Sequence, residues 1–269
     1  MQPSVRVRKP AVAGSFYPQS REDLVVALQT AWAGRVTTSV PPPKALVVPH
    51  AGYAYSGAVA ASAYATLREA VGVIRRVVLL GPSHHYALRG FALPEVDAWQ
   101  TPLGLVALDT ATMVQLARRS DVVRSDLVHA REHALEVHVP FLQTVLGQSF
   151  QLVPLVVGQV TAVAAAELLS GLWGGNETLI VLSTDLSHYL DQPTAQRRDA
   201  QTVRHIEALD GGALAVDDCC GLYPLAGLLL AARQRHMRCR AIDVRTSADT
   251  AGEPSRVVGY ASFLLWEVS

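Results

Sequence analysis

Four of the nine histidines in this sequence share a placement. His50 directly follows an apolar run, ALVVP. His84 and His85 follow RVVLLGPS, and His188 follows TLIVLSTDLS with Asp185 in the same motif. Imidazole and carboxylate can ligate a metal or move protons, and which they do depends on what else converges with them. In an open α/β sheet, ligands bind in the crevice beyond the carboxyl ends of the strands. Three separate apolar runs each deliver such groups to that edge, which points to a shared metal or catalytic site.

The local contexts agree. His50 opens HAGYAYSG, where Gly52 lets the backbone approach closely and the tyrosines can line a pocket. GPSHH sets Gly81 and Pro82 at a strand-ending turn. In STDLSH, Asp185 can fix a histidine tautomer or ligate directly. Ser183 or Ser187 with Asp185 and His188 also suggests a hydrolase triad. Against it, G-x-S-x-G is absent, and an Asp so close in sequence to its His is an unusual orienting group.

Two further groups are open. REHALEVHVP carries Glu132, His133, Glu136 and His138. On a helix His133 and Glu136 would share a face, but the order is not H-E-x-x-H, and a solvated helix edge or a supporting role competes with ligation. Cys220 lies just before an apolar segment, after Asp217 and Asp218. At a helix start a thiol has a lowered pKa and ligates soft or borderline metals; alternatively it is a small buried hydrophobe. His129, His205 and His236 sit among charged residues and read as surface.

These groups need a scaffold. Ala45–Pro49, Arg76–Leu80, Phe150–Val157, Thr178–Ser183, Cys239–Arg245 and Val257–Trp266 are short, continuous Val/Leu/Ile-rich runs. Such runs mark strands buried on both faces, as in a largely parallel sheet covered by helices. Helical periodicity falls at Arg21–Ala33 (Ser20 as N-cap), 57–70, Thr110–Arg118, Ala162–Leu172, Thr194–Leu209 and Pro224–Arg235. The alternation predicts an α/β three-layer αβα sandwich with a mostly parallel central sheet, as one domain over 1–269. The prolines at 41–43 form too short a segment to separate domains.

Composition narrows the function. Of 269 residues, Lys plus Arg number 23 and Asp plus Glu number 23. A zero balance leaves no electrostatic footprint for nucleic acid. Half the residues are hydrophobic and 17% are charged, which excludes disorder. The three cysteines, two of them adjacent, are not a secreted disulfide framework and fit a reducing cytoplasm. The N-terminal stretch lacks an export-signal core, and 222–232 falls short of the ~20 residues a membrane span needs.

The motifs RKPAVAGSFYP, VVPHAGYAYSG, LLGPSHH, WQTPLG, EHALEVHVPFLQ, LSTDLSHY and CCGLYP occur in that order. Together they resemble the Memo family, whose bacterial and archaeal members are called AmmeMemoRadiSam system protein B. The resemblance runs from about Arg8 to the C-terminus. It implies the fold of the class III extradiol (LigB-type) dioxygenases, which hold non-haem iron with two histidines and a carboxylate. Carried over by motif, it implies His50, His84 and Cys220 as metal ligands, with His188 as acid/base and Asp185 as its partner. The expected cofactor is a divalent or redox metal ion, iron first, with copper or zinc as alternatives. A thiol where the dioxygenases carry Glu softens the site and argues against ring cleavage. The resemblance further implies an intracellular redox role beside a radical SAM protein and an AMMECR-type protein. Two other readings stand beside it: a non-enzymatic protein that uses the cleft to bind a peptide or partner, and zinc-assisted hydrolysis.

Overall fold

The computed structural model describes residues 5–38 and 40–267. The first four residues of the N-terminal stretch read for an export signal lie outside them. The chain runs through β1 (Val7–Arg8), α1 (Arg21–Ala33), β2 (Ala45–Val48), α2 (Tyr53–Tyr64), β3 (Arg76–Pro82), β4 (Phe91–Leu93), β5 (Ala98–Thr101) and β6 (Gly104–Ala107). It continues through α3 (Thr110–Leu116), β7 (Val122–Arg124), α4 (Asp126–Ala130), α5 (Val139–Leu146), β8 (Gln151–Val157), α6 (Ala162–Leu172) and β9 (Thr178–Ser183). It closes with β10 (His188–Leu190), α7 (Gln192–Glu207), α8 (Leu222–Gln234), β11 (Arg238–Thr246) and β12 (Val257–Trp266).

The large sheet has the order β10-β12-β2-β9-β3-β8-β4-β7, with β11 also paired to β12. Its centre, β2-β9-β3-β8, is wholly parallel. Those four strands are four of the six apolar runs, and they are buried almost throughout; the other two pair antiparallel as β11 and β12, and β11 is largely half-buried or exposed. Each fully buried Val or Leu adds about 1.5–3 kcal/mol to the core. Helices α1, α2 and α5 pack together, as do α6 and α8. The result is the expected α/β sandwich, a mostly parallel sheet flanked by helices.

Several features depart from the sequence reading, which did not include β4, β7, β10, α4 or α5. The helix expected over 57–70 begins earlier, at Tyr53, and tightens into a 3-10 turn over Ala65–Ala70. A small three-stranded sheet, β1-β5-β6, was not anticipated; its strands are two to four residues long, too short to show a period.

The N-terminal segment is fastened by a buried ion pair. Arg8 Nη1 donates to Glu136 Oε2 at 2.6 Å, and Glu136 also accepts from the Ala11 and Val12 amides and from the Tyr17 hydroxyl. A buried charge pair is tolerable only when its hydrogen-bonding capacity is filled this way. The clamp brings Phe16 against His133, with ring centroids 4.5 Å apart.

Candidate metal centre

Parallel register builds the site. Val48 of β2 lies beside Ser183 of β9, and Leu80 of β3 beside Leu182. The three carboxyl ends therefore finish side by side, and the next few residues of each chain segment supply His50, Asp185 and His84. Cys220 arrives from the turn before α8, where its amide donates to the Asp185 carbonyl at 3.3 Å. The turn fits closely: a Cβ on Gly221 would stand 2.7 Å from Thr184 Cβ.

Ligand atoms of His50, His84 and Cys220 all lie within 4.8 Å of one another. Cys220 Sγ is 3.3 Å from His50 Nε2, and the His50 and His84 rings meet edge to face at 5.2 Å. A second group, His84, Glu132 and His133, meets the same distance test.

The tautomers follow from the partners. Ser183 Oγ donates to the Ala134 carbonyl at 2.6 Å. Its one proton is then used, so it accepts from His50 Nδ1–H at 2.6 Å and from His138 Nε2–H at 2.9 Å. That leaves the lone pair of His50 Nε2 facing Cys220. On the other side Glu132 accepts from the His84 amide at 2.7 Å and from His84 Nδ1 at 2.8 Å, which frees Nε2 of His84. A histidine whose second nitrogen is tied to an acceptor is the usual form of a metal ligand. The Asp185 amide donates to Cys220 Sγ at 3.3 Å, a contact that favours negative charge on sulfur.

Several electrostatic expectations need correction. Burial pushes the Cys220 thiol up, with the Asp185 carboxylate adding to the effect, instead of the lowering expected at a helix start. The α8 helix begins at Leu222, and the sulfur turns into the protein. A carboxylate partner such as Asp185 would raise His188; burial instead lowers it, and a hydrogen bond with the Leu186 backbone opposes that. Asp185 is turned the other way: its Oδ1 accepts from the His50 amide at 2.7 Å, and Oδ2 lies 4.0 Å from His50 Nε2. Burial raises the Asp185 carboxyl to about 7. His188 itself sits half-buried on β10, where the register against β12 shifts and Tyr189 takes a positive φ of 62°.

The serine–histidine–aspartate alternative is not assembled. Ser183 is engaged with His50, His138 and Ala134, and Ser187 is fully buried with its amide donating to Asp199.

Residues 131–135 are not helical, and only Glu136–His138 form a short 3-10 turn. Glu132, Glu136 and His138 are buried, so the solvated-edge reading fails. His129, read as surface, is also buried, and its Nε2 donates to the Ala92 carbonyl at 2.9 Å. His236 is exposed and His205 half-buried. Glu132 and His133 were the least legible members of the site, because their contact with His84 depends on a loop. Beside Cys220 a cavity of about 390 Å³ opens, lined by Pro82, Tyr86, Arg89, Gln159 and Tyr223.

The family model described as "Memo-like protein" matches residues 8–264. A MEMO1 family protein of Methanopyrus kandleri is 34% identical over 278 residues, covering 96% of this chain and 98% of the relative. A MEMO1 family protein of Aquifex aeolicus is 33% identical over 97% of this chain and 99% of its own length. One from Thermotoga maritima is 34% identical over 96% and 99%. With a family match across nearly its whole length and relatives above 30% identity over almost all of both chains, this protein belongs to the Memo family.

Proposed function

We propose that this protein binds one transition-metal ion through His50, His84 and Cys220 and uses it in intracellular redox chemistry related to that of the extradiol dioxygenases. The observation that carries the reading is the 3.3 Å approach of Cys220 Sγ to a His50 Nε2 left unprotonated by Ser183. The motif resemblance puts iron first, and the thiol in the donor set keeps copper or zinc as the alternatives. Two imidazoles and one sulfur leave room for further ligands. When bound, such an ion supplies Lewis-acid polarisation and, if iron or copper, one-electron chemistry.

The chain's own groups do the rest. The cavity beside Cys220, with Tyr86 and Tyr223 on its wall, admits a small molecule to the centre. His188, held below the usual imidazole range by burial, is neutral at pH 7 and accepts a proton at its free ring nitrogen. Asp185 positions the His50 backbone and adds a carboxyl beside the centre.

In this reading the protein works in the cytoplasm, where Cys220 stays reduced; among the described residues no helix is long and apolar enough to cross a membrane. Its partners are a radical SAM protein and an AMMECR-type protein, a proposal that rests on the motif resemblance. The test is the metal content of freshly, anaerobically purified protein beside His50→Ala and Cys220→Ser. The reading expects close to one iron or copper per wild-type chain and loss in both variants. Metal-free wild-type protein would overturn it and leave a partner-binding role for the cleft; stoichiometric zinc with hydrolytic turnover would favour the hydrolase.

A further inference from the structure

The second donor group, His84, Glu132 and His133, shares one histidine with the first but has a different chemistry. It carries a carboxylate where the inner group carries a thiol. Two imidazoles and one carboxylate form the donor set that suits Fe(II) and other borderline-to-hard divalent ions, whereas thiolate selects softer ones. The two sets also differ in depth. Glu132 is 2% exposed, but the His84 and His133 side chains are 27% and 18% exposed, so this group stands toward solvent.

The arrangement is built rather than incidental. The His84 and His133 rings stack at 4.6 Å with 19° between planes, and Phe16 backs His133. Glu132 Oε1 lies 2.8 Å from His84 Nδ1 and 3.5 Å from His133 Nδ1, and the Ala134 amide fixes the same oxygen at 3.0 Å. A cation there would replace the His84 Nδ1–H···Oε1 hydrogen bond and keep the carboxylate.

We propose that His84, Glu132 and His133 form a second, outer divalent-cation site, harder than the thiol-containing inner site and alternating with it. Because both sites share His84 and each brings only one anionic donor, the pair holds one cation at a time. The outer site is the waypoint at which a divalent ion arriving from solvent is first held. The proposal adds Glu132 and His133, which lie outside the thiol-containing set, and its test uses an ion that set disfavours.

Mn(II) is that probe, because it prefers carboxylate and imidazole and has weak affinity for thiolate. Binding is read as loss of the free-ion electron paramagnetic resonance signal. Wild-type protein is expected to bind Mn(II). Glu132→Gln and His133→Ala should each weaken binding at least tenfold, and Cys220→Ser should change it by less than about threefold. Co(II) loading of His133→Ala checks that the variant is folded, because its thiolate-to-cobalt absorption should persist. Failure of wild-type protein to bind Mn(II), or equal loss in Cys220→Ser and His133→Ala, would overturn the proposal. So would unchanged Mn(II) affinity in both Glu132→Gln and His133→Ala. In wild-type protein, a missing thiolate-to-cobalt band with Mn(II) binding intact would count against the inner site and in favour of the outer one.

Discussion

The hydroxyl of Ser183 lies 2.6 Å from Nδ1 of His50. Its proton is committed to the Ala134 carbonyl, so the serine holds His50 in the tautomer whose Nε2 faces Cys220. A residue at the end of β9 thereby sets the chemistry of a residue at the end of β2.

Ser183→Ala tests this directly. It removes the acceptor for His50 Nδ1 and for His138 Nε2, leaving two buried donors without partners. Metal affinity should fall by about 10–100-fold, the usual effect of losing an orienting partner. Stability should fall by about 1–3 kcal/mol for each donor left unsatisfied. Competition titration and chemical denaturation of the same variant measure the two effects.

His188 should behave differently from the three converging residues. It is not among the groups whose ligand atoms cluster within 4.8 Å. In side-by-side titrations with zinc, which the thiol-containing set favours over Mn(II), His50→Ala and Cys220→Ser should lose binding by orders of magnitude, and His188→Ala by no more than about 10–100-fold. Equal loss in all three would move His188 among the ligands.

Catechol ring opening by iron-loaded protein should be weak or absent. The motive is the thiol of Cys220 in the place of a carboxylate, which softens the donor set. Oxygen uptake with catechols, compared with the His188→Ala background, is the measurement. Robust turnover lost in that variant would show that the thiol does not prevent the reaction.

Acid should destabilise the metal-free protein well above the carboxylate range. Burial lowers His129 to about 4 and His138 to about 3, from an unfolded value of 6.5. Between those limits the unfolded chain binds more protons, so stability is full above about 6.5 and is lost as pH falls toward 4. Each group contributes about 1.4 kcal/mol per pH unit inside its window. Asp185, raised to about 7, has the opposite sign and offsets about one such slope between pH 4 and 7. Denaturation at pH 7 and pH 5 should show a net loss at pH 5, smaller in His138→Gln.

The sheet was legible because its central strands are short unbroken runs of Val, Leu and Ile, and burial on both faces demands that composition. The placement of His50, His84 and Asp185 was legible for the same reason: once the runs are parallel strands, their ends fall together. What hid the rest was the absence of any period. Glu132 and His133 reach His84 from an irregular loop, which no helix or strand pattern describes. His129 has charged neighbours in sequence, yet it turns inward to the Ala92 carbonyl. The effect of burial on His188 was hidden too, because the short motif shows neither the packing of β10 nor its register shift between His188 and Leu190.

The central claim is that Cys220 and two imidazoles hold one ion, and the most direct measurement is X-ray absorption of the iron-loaded or zinc-loaded protein. The account predicts one sulfur scatterer and two imidazole nitrogens in the first shell, at about 2.3 Å and 2.0–2.1 Å for zinc. It also predicts loss of the sulfur in Cys220→Ser. A first shell made only of nitrogen and oxygen in wild-type protein would contradict it.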